Sequence, residues 1–331
     1  MRRRDTFSLG DIDSSEVMDV KRYLVPVGWA MGMLVLILDG RTALSGAAEG
    51  VALCLGTLIP SLFPFFVLSA MLTSTLPGGG LVLAGILGGY PVGAGNVARA
   101  YHGGRISKED AEVMAVVCNC AGPSFLFGVA APILEAPGAG FVLWGIYLLS
   151  VLALRAVLPK MKTVSTPPKS ISLQQAVRDA LGAMAGVCGW VVLFRVVLAV
   201  LDRWVLWLLP DWGRVMVCGL LELTNGCLAL GQVEPGLRFV LAAGMVSFGG
   251  LCVMLQTASV ARGISLGLYF PGKVFQCAVS MLLASLLTPG AVPFYMQGLF
   301  IAAALVFGYI LQKQKKGVEI GGRLVYNLCK P

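Results

Sequence analysis

At 331 residues, 57% hydrophobic and 13% charged, with a mean hydropathy of +0.83, the chain is far from the mix of a water-soluble domain. Apolar stretches near the ~20 residues that cross a bilayer recur from end to end, so the expected class is an all-α, polytopic helical membrane protein. The net charge of +8 is then positive charge kept at the cytoplasmic ends of spans and attracted to anionic lipid, which removes it as evidence for nucleic acid.

In chain order, residues 1–22 form a cytoplasmic tail. Arg2, Arg3 and Arg4 are followed by Asp5, Asp11, Asp13, Glu16 and Asp19 before the apolar run begins at Tyr23. A cleaved signal has a shorter, purely basic leader, so an uncleaved first span is expected. Residues 23–50 hold that span and a connector, 51–159 a first membrane half, 160–172 a cytoplasmic linker, 173–312 a second half and 313–331 a C-terminal tail. Candidate spans are 23–39, 51–72, 111–134, 141–158, 181–201, 215–230, 269–287 and 292–311. Pro60 and Pro64 should kink or break the second of these, each removing a helix donor. Two further apolar segments, 81–98 and 239–261, are crowded with glycine and polar residues and read as re-entrant hairpins or discontinuous helices. The Lys and Arg clusters in the tails and the linker place all three on one side, the cytoplasm.

The interruptions carry the functional signal. Gly88-Gly89-Tyr90-Pro91-Val92-Gly93-Ala94-Gly95-Asn96 and Cys118-Asn119-Cys120-Ala121-Gly122-Pro123-Ser124 put helix breakers and amides where the flanks are apolar enough for lipid. Bare backbone N–H and C=O groups are too costly in hydrocarbon, so such breaks occur where protein or a hydrated cavity satisfies them. Paired breaks mark the substrate sites of secondary transporters, so the expected mechanism is alternating access around broken helices at 88–96, 119–124, 222–225 and 249–259. Between them, Ser107 can cap a helix starting at Lys108, with Glu109 and Asp110 in its first turn. In the second half Gly249-Gly250 followed by Arg262-Gly263-Ile264-Ser265 echoes Gly88-Gly89 followed by Gly104-Arg105-Ile106-Ser107, which suggests two related halves.

An ordered set of segments adds to this reading: Pro60-Ser61-Leu62-Phe63-Pro64-Phe65-Phe66, Gly89-Tyr90-Pro91-Val92-Gly93-Ala94, the stretch from Gly104 to Glu112, Asn119 with Pro123, Gly219 to Gly226, and Ser247-Phe248-Gly249-Gly250-Leu251. In these the chain resembles the Gate-domain, or nucleoside-recognition, membrane proteins, and within them the sporulation integral membrane protein branch of endospore-forming bacteria. The resemblance implies an architecture similar to concentrative nucleoside carriers. It also implies transport of dipicolinate, an aromatic dicarboxylate, across the cytoplasmic or outer forespore membrane.

Candidate substrate contacts are Gly89, Tyr90, Pro91, Gly93, Asn96, Asn119, Pro123, Ser124, Thr224, Asn225, Gly249, Gly250 and Gln256. Tyr90 can stack an aromatic ligand and the glycines admit close backbone approach, although the same glycines can simply let helices pack. Asn119 has the alternative of bonding a neighbouring helix. Glu222, inside an apolar run, is either a coupling site for a proton or sodium ion or the partner of Arg195, itself a lesser coupling candidate. Asp202, Arg203, Asp211 and Arg214 with Trp204, Trp207 and Trp212 read as an interfacial belt. A lone histidine, His102, and the lack of paired carboxylates or a phosphate loop argue against an enzyme, and no metal or cofactor is expected. The expected partners are a small-molecule substrate, a coupling ion and the lipid bilayer. A nucleoside-type carrier and a non-transporting scaffold in sporulation or envelope assembly stand as alternatives.

Overall fold

The computed structural model describes residues 14–75, 80–161 and 170–314. The two tails beyond these limits and the middle of the linker, 162–169, lie outside the described residues. Among the described residues every regular element is helical. Seven stretches are long and apolar enough to cross a membrane: Gly40–Thr75, Lys108–Ile133, Ala139–Val157, Leu173–Trp204, Pro235–Val260, Tyr269–Leu287 and Phe294–Gln314. The chain is an all-α, multi-pass membrane protein.

Helix α1 (Ser14–Leu38) contains the apolar stretch Pro26–Leu38. Helix α2 (Gly40–Leu53) passes through a π-helical turn, Cys54–Leu58, into α3 (Ile59–Thr75). The prolines expected to break this span therefore do not. The wide turn comes just before Pro60, where the Ile59 N–H reaches back to the Cys54 carbonyl and makes room for a ring with no donor. A second π turn, Leu126–Ala130, precedes Pro132 in the same way. Gly46 and Gly50, one turn apart on α2, seat that helix on the later helix that begins at Leu173. A Cβ at Gly46 would lie 2.8 Å from Ala199 Cβ, and one at Gly50 would lie 2.9 Å from Val192 Cα. Small residues at this spacing let membrane helices approach closely.

Helices α4 (Gly80–Gly88) and α5 (Val92–His102) form a hairpin bent at Gly89-Tyr90-Pro91. Its arms lie on one neighbour, since a Cβ at either Gly85 or Gly93 would strike Cys118. Helix α6 (Lys108–Cys118) starts at the Ser107 cap, whose hydroxyl accepts from Asp110 N at 3.1 Å. After a break at 119–122 the span resumes as α7 (Pro123–Phe125), the second π turn and α8 (Ala131–Ile133), and α9 (Ala139–Val157) returns.

Helix α10 (Leu173–Trp204) opens the second half. It is followed by α11 (Asp211–Leu221) and α12 (Leu223–Ala229). These two do not form the clean span expected at 215–230. Glu222 adopts an extended conformation, and the chain folds back so that Gly219 and Gly226 face each other. A Cβ at Gly226 would lie 2.3 Å from Gly219 Cα. By contrast, α13 (Pro235–Phe248) and α14 (Gly250–Val260) are one span interrupted at Gly249, so 239–261 is a discontinuous helix and not a hairpin. Helices α15 (Tyr269–Leu287) and α16 (Phe294–Gln314) complete the bundle.

The order hairpin, broken span, straight span thus occurs at 80–157 and again at 211–287. It pairs the bend at 89–91 with Glu222, and the break at 119–122 with Gly249. The sequence landmarks paired Gly88-Gly89 with Gly249-Gly250 and so joined a hairpin to a broken span. The structure does not place them equivalently. Following the chain from α2, the first hairpin opens toward the linker face and the second toward the opposite face. Side-chain ties agree. Arg99 pairs with Asp179 and His102 Nε2 lies 2.9 Å from the Arg262 carbonyl on the linker face. On the other face Arg195 pairs with Glu49, Arg214 with Asp202 at 2.6 Å and Arg238 with Glu135 at 3.0 Å.

Candidate functional site

The four interruptions meet. A half-open cavity of about 40 Å³ is lined by Gly89 and Tyr90 from the first bend, Gly122 and Phe125 from the first broken span, Glu222, Leu223 and Thr224 from the second bend, and Val253 and Gln256 beyond the second break. Leu58 of the first π turn, Leu62 of α3, and Val187 and Val191 of α10 complete its wall. A space of this size holds water or an ion and is too small for an organic substrate, whose pockets run to roughly 300–1,000 Å³.

A larger vestibule of about 470 Å³ lies along the same three helices toward the linker face. It is lined by Phe66 and Ala70 of α3, by α10 from Arg178 to Ala183, and by Val260 of α14. Pro91, Val92, Gly95 and Arg99 of α5 supply the remaining wall. On α3, α10 and α14 the nearest lining residues of the two spaces are one turn apart: Leu62 and Phe66, Ala183 and Val187, and Gln256 and Val260. Arg99 and Arg178 stand at the wide end, where the Asp179 carboxylate engages Arg99.

Glu222 is 2% exposed and is held by the chain that follows it. Its Oε1 accepts from Thr224 N at 3.0 Å, while Oε2 accepts from Asn225 N and from Asn225 Nδ2, each at 2.7 Å. It is therefore the cap of α12, and charge-assisted bonds of this kind contribute about 1.5–3 kcal/mol each. Arg195 is not its partner. That guanidinium, one turn along α10 from Val191 of the cavity wall, is engaged by Glu49 of α2, so the proposed ion pair with Glu222 is not formed.

The two asparagines part company. Asn96 lies outside the cavity. Its Nδ2 donates to Thr73 Oγ1 at 3.0 Å and Ser69 Oγ at 3.4 Å, and its Oδ1 accepts from Arg99, so it fastens α5 to α3. Asn119, fully buried in the α6–α7 break, donates through Nδ2 to Thr257 Oγ1 at 2.6 Å and Tyr269 Oη at 2.7 Å. Among the described residues its Oδ1 has no partner, and neither has the buried Ser124 hydroxyl five residues on. Pro123 begins α7, where a missing N–H costs nothing. Gly93 is a packing position, because a Cβ there would lie 1.9 Å from the Cys118 carbonyl oxygen. Gly249 and Gly250 have φ of +84° and +79°, the left-handed region that glycine adopts freely. A Cβ at Gly249 would sit 3.3 Å from the Tyr90 ring, so the second break bears on the first bend.

The largest omission from the sequence reading is Lys273. It is completely buried in α15, donates to Gln276 Oε1 at 3.1 Å, and lies 5.3 Å from the Tyr90 ring centroid and 5.6 Å from that of Tyr269. Gln276 in turn donates to Ser150 Oγ at 3.3 Å. The signal was present, for Lys273 is the lone Asp, Glu, Lys or Arg within Tyr269–Leu287. An intramembrane charge is by default functional.

Comparison with known proteins agrees in part with these features. The chain is 25% identical over 288 residues to the sporulation integral membrane protein YlbJ of Bacillus subtilis (strain 168), covering 66% of this chain and 71% of that protein. No family model matches, so the Gate-domain resemblance gains no support there. No solved structure matches either.

Proposed function

We propose that this chain is a carrier for a small organic anion in a bacterial membrane, working by alternating access around the four helix interruptions. The observation that carries this reading is their convergence around one small cavity whose lining helices also line an arginine-bearing vestibule. A scaffold has no need to bring four breaks together at mid-membrane. The linker face bears Arg99, Arg105, Lys108, Arg155, Lys160, Arg178, Arg262 and Lys313, so it is the cytoplasmic side and the vestibule is the inward mouth. Glu222, buried at the cavity wall and bonded only to groups of its own turn, is the coupling group that exchanges a proton or binds sodium during the cycle.

The likeness to a sporulation membrane protein supports a role in sporulation, and dipicolinate, a planar dicarboxylate, is the substrate we favour. Purified protein in liposomes tests this directly. Labelled dipicolinate should accumulate in response to a proton or sodium gradient, and uridine should not compete. Competition by uridine favours the nucleoside-type carrier. Flux equal to that of protein-free vesicles for both compounds favours the scaffold.

A further inference from the structure

Lys273 is a buried ammonium with too few partners. An ammonium offers three donors, and here one is used, on the neutral amide of Gln276. Among the described residues no carboxylate pairs with it. Its other neighbours are the faces of Tyr90 and Tyr269 and the thiols of Cys118 and Cys120. Membrane proteins pair buried charges or use them, because desolvating an ion with no counter-charge is costly.

The surroundings are arranged for an anion. Tyr90 lines the Glu222 cavity, and its ring also faces the Lys273 ammonium. Its hydroxyl is held by a long bond of 3.3 Å to the Val246 carbonyl beside the Gly249 break. Tyr269, the other ring over the ammonium, is held by Asn119, whose Nδ2 donates to its hydroxyl at 2.7 Å. The Ser124 hydroxyl on the same broken span is a buried donor with nothing to bond. Gln276 is fixed by Ser150 with its oxygen toward Nζ, which keeps the ammonium at the level of the α6–α7 break.

We infer that Lys273 is the anion-binding group of this protein, receiving a carboxylate of the substrate when the Tyr90 ring moves out from between the cavity and the ammonium. This rests on the carrier reading for its access route. The class of ligand follows from the charge: a carboxylate small and flat enough to lie between tyrosine rings, excluding neutral amides of the same shape. In the closed state Tyr90 and Tyr269 substitute for the anion through their ring faces. That explains how the cation is tolerated when the site holds no substrate.

The test uses full-length protein in detergent and in liposomes, with pyridine-2,6-dicarboxylate as probe and its diamide as the neutral control. Wild-type protein should gain thermal stability with the dicarboxylate and not with the diamide, as ligand binding to the folded state requires. Lys273→Met should fold with an unchanged or higher melting temperature, because it removes an unpaired buried charge, and should bind the dicarboxylate at least tenfold more weakly. Lys273→Arg, which keeps the charge, should retain part of the thermal shift and serves if the methionine variant does not fold.

A full dicarboxylate shift in Lys273→Met, no shift in wild type, or a melting temperature that falls in both variants with binding unchanged overturns the inference and makes Lys273 a strut. Flux separates the two readings. A Lys273-dependent shift without flux keeps the anion site and removes the carrier. Flux that persists in Lys273→Met keeps the carrier and removes the anion site.

Discussion

The two helix hairpins reach the same cavity by different means. The first turns on Gly89-Tyr90-Pro91 and is locked by backbone contact, with Gly85 and Gly93 pressed on Cys118 and Asn96 tied to α3. The second turns on Glu222, a buried carboxylate whose partners are donors of its own next turn. Steric locking is indifferent to ions, whereas a carboxylate cap strengthens or weakens with whatever binds it. On the carrier reading the first hairpin is the fixed wall and its Tyr90 ring the moving part, while the second, itself closed by contact of Gly219 with Gly226, is the hairpin that a coupling ion can loosen through its carboxylate cap.

Breaking the fixed wall should have the largest effect. Gly93→Ala puts a methyl 1.9 Å from a carbonyl oxygen with backbone on both sides. Overpacking ordinarily costs about 1–3 kcal/mol where side chains can shift, and more where they cannot. No folded Gly93→Ala protein is expected on detergent size-exclusion chromatography. A monodisperse, wild-type peak would mean that the hairpin does not pack as described.

Next comes the responsive hairpin. Glu222→Ala leaves buried N–H groups at Thr224 and Asn225, costing about 1–3 kcal/mol by the usual penalty for a lost partner. Glu222→Gln keeps the shape and an acceptor but cannot titrate. It should fold, bind substrate and lose flux driven by a pH gradient. Undiminished pH-driven flux in Glu222→Gln would exclude proton coupling at this position.

The asparagines sharpen the comparison at smaller cost. Asn96→Leu removes bonds that average about 0.6 kcal/mol each in membranes, so it should lower the melting temperature slightly and spare substrate binding. Asn119→Leu should abolish transport while the protein still inserts. Equal transport by the two variants would return Asn119 to helix packing. Smallest of all is Arg195→Met. It breaks a half-exposed pair with Glu49, worth about 0–1 kcal/mol and less where water screens it, and flux should be unchanged.

Much of this was legible in the sequence, and the misreadings are physical. Composition and span lengths reveal a helical membrane protein because lipid leaves few other ways to satisfy a backbone. The breaks at 88–96 and 118–124 were visible because glycine, proline and amides stand out in apolar runs. A break at 222–225 was expected too, but not that it is a hairpin bend, since nothing in the local sequence says that Gly219 will meet Gly226. Asn96 and Asn119 look alike in sequence. What separates them is a long-range fact: Ser69, Thr73 and Arg99 satisfy one, and no donor reaches Oδ1 of the other. Lys273 was missed because it lies in the second turn of its helix, where a lysine ordinarily snorkels to water. Here Tyr90, Tyr269 and the α6–α7 break cover it.

The central claim is that the cavity at the four breaks is reached from each side of the membrane in turn. Substituted-cysteine labelling measures this without knowing the substrate. Val187→Cys places a thiol on α10 at the cavity wall. In oriented membrane vesicles, an impermeant thiol reagent should modify it from the linker face and, in a separate fraction of cycles, from the opposite face. Both reactions should exceed the native-cysteine background and slow when Glu222→Gln is added. A thiol at position 187 that stays unmodified from both faces contradicts the account, because a cavity that never opens carries nothing.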